Sequence, residues 1–204
     1  MQVERLCSNR GHLMQGPLLL TPRIFKDDRG FFYESWNTQN FQDALLKDGW
    51  TEESSKLVHF CQDNHSRSKR GVLRGLHYQL PPVSQGKLVR CSLGLIYDVA
   101  VDLRRHSPDF GKWVAAELSD SNHQQLWIPE GFAHGFLALS EFAEVQYKAT
   151  NFWSKECERS LHWQDTSLSI HWPLQRVGMN SPVLTSKDEA ALSLKEFQTI
   201  GELF

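Results

Sequence analysis

A mainly β chain, closed as a sandwich or barrel, is what this sequence predicts, and three observations predict it. Segments with strand-type patterning recur at short intervals between Leu57 and Trp163. Turn signals such as His106-Ser107-Pro108-Asp109-Phe110-Gly111 and Pro129-Glu130-Gly131-Phe132 separate them. Little helical periodicity lies between, which argues against alternating βαβ units. With 204 residues, 40% hydrophobic and 23% charged, the chain suffices for one sizeable core and reads as one domain over 1–204.

Taken in order, residues 1–20 offer no regular pattern and read as an irregular segment. Pro22–Trp36 is β-rich and aromatic, with Asp27-Asp28-Arg29-Gly30 as a turn between two short strands. Residues 38–48 predict a helix, because Phe41, Ala44 and Leu45 fall on one face and Gly49 follows as a stop. Strands are expected at Leu57–Asp63, Val72–Gln79, Lys87–Gly94 and Leu95–Arg104. In the last of these, Tyr97, Val99, Val101 and Leu103 alternate with Asp98, Ala100, Asp102 and Arg104. More are expected at Trp113–Leu118, Gln124–Ile128, Gly135–Leu139, Ala143–Thr150 and Leu161–Trp163. Near the end, Ser186-x-x-Glu189 has the form of a capping box and predicts a short final helix.

Composition narrows the function. A net charge of −2, with no like-charge run beyond Ser66-Arg67-Ser68-Lys69-Arg70, gives no basic face for nucleic acid. Leu18-Leu19-Leu20 is too short to span a membrane, and the N-terminus lacks the apolar stretch of a secretion signal. Cys7, Cys61, Cys91 and Cys157 are far apart without metal-type spacing, which fits reduced thiols in the cytoplasm. Seven Trp in a chain that is 11% aromatic can fill a β core or offer stacking surfaces.

Two histidine-bearing segments carry the chemistry. One is Arg74-Gly75-Leu76-His77-Tyr78-Gln79, followed by Gln85-Gly86-Lys87-Leu88-Val89-Arg90; the other runs Ile128-Pro129-Glu130-Gly131-Phe132-Ala133-His134-Gly135-Phe136. The Pro-x-Gly-x-x-His spacing resembles the second box of cupins, which implies a cupin-type jelly-roll barrel with a ligand cavity and a few short helices. Metal-binding cupins carry His-x-His in the first box. Here Gln79 stands two after His77, so His77 and His134 alone are too few ligands for a transition metal.

These segments, together with Asp27–Trp36, Gln62-Asp63-Asn64-His65-Ser66, Val145–Thr150 and Ser186-Lys187-Asp188, resemble the dTDP-4-dehydrorhamnose 3,5-epimerase family in order and spacing over roughly residues 20–190. The resemblance implies inversion at C3 and C5 of dTDP-4-dehydro-6-deoxy-D-glucose to give dTDP-4-dehydro-L-rhamnose, without metal or organic cofactor, by a homodimer. Such inversion needs a base on one face of the sugar, an acid on the other, and positive charge near the ketone oxygen. An imidazole is largely neutral near pH 7 and suits the base. By resemblance His77 is that base, Tyr147 the acid, Lys87 the oxyanion partner and Asp188 the carboxylate that orients His77, with Asp165 as the alternative partner. Arg29 and Arg74 match diphosphate-binding positions. Glu34, Gln62, Asn64, His134, Glu158 and Lys187 match further polar contacts, and Lys87 also binds substrate. Trp153 replaces the family's usual tyrosine at the position that stacks on thymine.

Two other readings remain open at the level of sequence: inversion of a single centre, and a metal-dependent cupin enzyme. A non-catalytic binding module would be expected to lack His77 or Tyr147. Strict alternation would place Arg74 and His77 on opposite faces of one strand; a bulge at Gly75 would turn both into the cavity.

Overall fold

The structure, a computed structural model, describes residues 1–204. The N-terminal twenty residues depart from expectation, forming strands β1 (Gln2–Cys7) and β2 (Leu13–Thr21). The reason is two-sided burial. Leu19 faces the space between the sheets, while Leu18 and Leu20 pack against a helix on the outer face. A strand covered on both faces shows a continuous apolar run and no alternation.

Strands β3 (Phe25–Asp27) and β4 (Gly30–Phe32) form the hairpin expected around Asp28-Arg29. Helix α1 (Thr38–Lys47) buries Phe41, Ala44 and Leu45, and the Asn37 side chain caps it by accepting from Asn40 N. Next comes an unforeseen helix, α2 (Glu52–Leu57), capped by Thr51 with Glu52 and Glu53 in its first turn. The strand expected at 57–63 therefore lies later, as β5 (Gln62–Lys69). Its inward residues are Gln62, Asn64, Ser66 and Ser68, so both of its faces are polar and hydrophobic alternation cannot reveal it.

The remaining strands follow expectation within a few residues: β6 (Leu73–Gln79), β7 (Lys87–Leu93), β8 (Leu95–Asp102), β9 (Trp113–Ser119), β10 (Gln125–Ile128), β11 (Phe132–Ala138), β12 (Phe142–Ala149) and β13 (Glu158–Ser160). The last lies ahead of the expected 161–163; Leu161 instead makes an isolated bridge to Leu192. Two antiparallel sheets result, ordered β1-β2-β10-β7-β12-β5 and β13-β6-β11-β8-β9. Between them packs a core that includes Val89, Ile96, Leu118, Leu126 and Val145. Behind the five-stranded sheet, Val99, Val101 and Leu103 meet Trp163, Trp172 and Phe197 from the C-terminal region. β8 is thus covered on both faces, which leaves Asp98 and Asp102 fully buried.

The C-terminal helices are α3 (Ser186–Glu189) and α4 (Leu194–Ile200). Ser186 is not the cap: Thr185 fills that place for α3, and the capping box belongs to Ser193 and Glu196 at α4. No helix is long and apolar enough to cross a membrane.

Candidate active site

A cavity of about 280 Å³ opens between the two sheets, bounded by Arg74 and His77 from β6, Lys87 from β7, His134 from β11, Tyr147 from β12, Ser66 from β5, and Thr185, Lys187 and Asp188 around α3. A bulge explains how Arg74 and His77 share it. His77 pairs with His134 and Arg74 with Phe136, so β6 uses three steps where β11 uses two. Gly75, at φ +123°, sits inside this bulge, and a Cβ there would fall 2.5 Å from Gly135 Cα and 2.7 Å from the His134 carbonyl oxygen. Only glycine fits.

His77 is tied to Asp188 through Nε2 and Oδ1 at 2.5 Å. Nε2–H therefore faces the carboxylate, which leaves the lone pair on Nδ1. Burial works to raise the Asp188 carboxyl, but the His77 hydrogen bond and charge, the Thr185 hydroxyl and Lys187 hold it below the usual carboxylate range. Asp165, the alternative partner, is occupied elsewhere. Its oxygens accept from the backbone N–H groups of Ser167, Leu168 and Leu194, at 2.8, 3.1 and 2.7 Å, and fix the turn that leads to α4.

Lys87 is buried, and its Nζ donates to the His77 carbonyl oxygen at 3.3 Å. Burial brings its pKa down to about 8, against an upward pull from Glu158 and Asp98. His134 makes a second histidine–aspartate contact, Nε2 to Asp98 Oδ1 at 2.7 Å, while Asp98 Oδ2 has no partner. Tyr147 stands on the opposite sheet, directly across the ladder from Asn64, and burial raises its phenol pKa with help from Glu158.

At the rim, Gln62 accepts from the Trp153 backbone N–H at 3.0 Å and donates to Asn64 Oδ1 at 3.0 Å, linking three expected binding residues. Arg74 donates through Nε to Ser68 Oγ at 2.9 Å, and Lys187 pairs with Glu158 at 2.5 Å. Trp153 is 55% exposed. Gln62, Asn64, Trp153 and Glu158 do not bound the cavity themselves but bond to one another or to Lys187, which does; Arg29 and Glu34 have no such link. Within one chain both lie outside this cavity: Arg29 pairs only with Asp27 on its own hairpin, and Glu34 accepts from Asn40 Nδ2 beside a separate hollow of about 350 Å³. Sequence reasoning also missed Asp98 and Thr185. Alternation along β8 sets Asp98 opposite Val99, a usable signal, whereas Thr185 carries none beyond its place before Ser186.

Nowhere do three or more His, Cys, Asp or Glu side chains gather in a way that could hold a metal ion.

The sequence profile of the dTDP-4-dehydrorhamnose 3,5-epimerase family matches residues 12–196. The dTDP-4-dehydrorhamnose 3,5-epimerase of Pseudomonas aeruginosa is 55% identical over 171 residues, covering 84% of this chain and 87% of that protein. That of Shigella flexneri is 53% identical over 171 residues, with 84% and 87% covered. Among solved structures, the Legionella pneumophila dTDP-6-deoxy-D-glucose-3,5-epimerase in complex with dTDP-4-keto-L-rhamnose is 41% identical, covers 99% of this chain and 97% of its own, and superposes with a TM-score of 0.84. A profile spanning most of the chain and identities above one half place it in one lineage: it belongs to the dTDP-4-dehydrorhamnose 3,5-epimerase family.

Proposed function

We propose that the chain inverts C3 and C5 of dTDP-4-dehydro-6-deoxy-D-glucose, with His77 as base, Tyr147 as acid and Lys87 as the oxyanion partner. One observation carries this reading: a carboxylate-anchored imidazole on one sheet and a phenol on the other line the same cavity, with a buried ammonium in its wall. The hydrogen beside a ketone is acidic because its electrons spread onto the carbonyl oxygen. His77 takes that proton through Nδ1, and the imidazolium is stabilised by Asp188. The Lys87 ammonium, itself buried, offsets charge on the oxygen. Tyr147 then delivers a proton to the opposite face of the carbon, and repetition at the second carbon completes the double inversion. Between rounds the phenolate and imidazolium return to their starting forms by exchange with solvent protons.

Arg74 suits the diphosphate, and Trp153 offers the ring on which the nucleobase stacks. The chain acts as a homodimer in which the hairpin β3–β4 of one copy closes the cavity of the other and brings Arg29 and Glu34 to it. In support, Phe25, Phe31 and Phe32 of this hairpin are 51%, 59% and 71% exposed, an apolar surface that burial against a partner would stabilise. Four free cysteines suit a cytoplasmic protein.

The test is incubation with the dTDP-4-keto-6-deoxyglucose substrate in heavy water. Deuterium at both C3 and C5 is the expected spectrum. Label at one carbon alone assigns a single-centre epimerase, and no label with binding intact overturns the catalytic reading.

A further inference from the structure

Beyond the four residues given roles in proton transfer and charge stabilisation, one hydroxyl is built into the same machinery. Thr185 Oγ1 lies 3.0 Å from Asp188 Oδ2, while the other oxygen of that carboxylate, Oδ1, holds His77 at 2.5 Å. Asp188 is 2% exposed, so its second oxygen has no water to fall back on. We infer that Thr185 is a positioning residue for the proposed base, fixing the Asp188 carboxylate so that one oxygen is spent on the threonine and the other stays aimed at His77. The inference rests on the epimerase reading and deepens it.

The arrangement has a local cause. Thr185 is the N-cap of α3, and its Oγ1 also accepts from the Asp188 backbone N–H at 3.3 Å. One hydroxyl therefore grips Asp188 at both ends: it accepts from the main chain and donates to the side chain. An aspartate three residues past a capping threonine is within reach of such a grip, whereas a carboxylate on a free loop would rotate about its side-chain torsions. The α3 turn is short, and the cap serves the orientation of Asp188 as much as the helix.

The hydroxyl also acts electrostatically. Donating to an ionised carboxylate stabilises its charge and makes the Asp188 carboxyl harder to protonate. Other charged groups face the pair from every side: Lys187 from α3 and Glu158 from β13, Lys87 from β7, and His134 with its partner Asp98 from β11 and β8. Arg74 and Tyr147 complete the set from β6 and β12. None of them is altered by a change at Thr185.

Thr185→Val keeps the shape and removes the hydroxyl; Thr185→Ser keeps the hydroxyl. For the valine variant we expect kcat to fall about tenfold with KM unchanged, the scale of one lost hydrogen bond to a charged group. The acid limb of its kcat profile should move to higher pH, and Thr185→Ser should restore both. Loss of the cap also lowers stability, so kcat is taken per folded enzyme, with folding followed by circular dichroism across the same pH range. Wild-type label uptake in heavy water tests the epimerase reading separately. If wild-type enzyme takes up label and Thr185→Val has the same kcat and the same acid limb, Thr185 has no positioning role; a serine variant that fails to rescue overturns it as well.

Discussion

The cavity between the sheets and the β3–β4 hairpin are both sites of expected function, yet they are built in opposite ways. In the cavity His77, Lys87, His134, Tyr147 and Asp188 come from four strands and one short helix, and they converge within a single chain. On the hairpin Arg29 is held only by Asp27, two residues away, and three phenylalanines face outward. The difference teaches where rigidity is needed. Proton transfer tolerates little misplacement, and the groups proposed for it stand on paired strands or are braced by second partners. Gripping a long, charged ligand tolerates more, and the residues proposed for it can sit on exposed edges.

Within the cavity the two histidine–aspartate pairs sharpen the contrast. His77 and His134 are direct cross-strand partners, and each turns Nε2 to a carboxylate. The His77 side chain keeps 29% exposure toward the opening against 8% for His134. Asp188 has both oxygens engaged, whereas Asp98 leaves Oδ2 unpartnered. The proposed base must carry charge transiently, which calls for a fully satisfied counter-ion and room for substrate, and of the two histidines His77 has both. His77→Asn should therefore lower kcat by roughly 10²–10⁴-fold and abolish deuterium uptake, the largest effect of any single change. His134→Asn should chiefly raise KM. Equal loss of label uptake in both variants, measured by NMR, would break the distinction.

Asp98 has a second role through charge. Burial depresses Lys87 with a smaller push from Lys187, and Glu158 together with Asp98 pulls the other way, which leaves it at about 8. The ammonium is the useful form, so the rate should decline as pH rises through about 8 and Lys87 loses its proton. Removing an upward pull lowers a pKa. Asp98→Asn should therefore shift the alkaline limb of kcat to lower pH and cut activity near neutrality several-fold, on the order of a lost charge-assisted hydrogen bond. A pH–rate profile decides it, and an unmoved alkaline limb would remove Asp98 from the account of Lys87.

Alternation and turn residues locate most of the strands, and the segments around His77, Lys87 and His134 point to the cavity through their resemblance to the family's motifs. What escapes has a physical reason in each case. Leu18-Leu19-Leu20 hides a strand because both of its faces are covered; Gln62–Lys69 hides another because its inner face is a polar cavity wall. Thr185 and Ser186 are both competent caps, and only the buried position of Asp188 decides between them. The Gly75 bulge is foreseeable from the conflict between strand alternation and the family resemblance, which assigns Arg74 and His77 to one cavity.

The hairpin provides the last of the expected effects, and it falls on binding rather than on turnover. If Arg29 serves the partner's cavity, Arg29→Ala should weaken substrate binding without touching proton transfer: KM rises about tenfold, as for one lost charged contact, and kcat stays near wild type. Location in the partner makes a stronger demand. Dimers formed from Arg29→Ala and His77→Asn chains contain one cavity with both defects and one with neither, so mixing two impaired preparations should restore low-KM turnover. If both residues belonged to the same chain's site, every cavity in the mixture would carry one defect, and no recovery would appear. Recovery in the steady-state assay thus ties the exposed hairpin to a second copy, and its absence in a mixture shown to exchange subunits would return Arg29 to the surface.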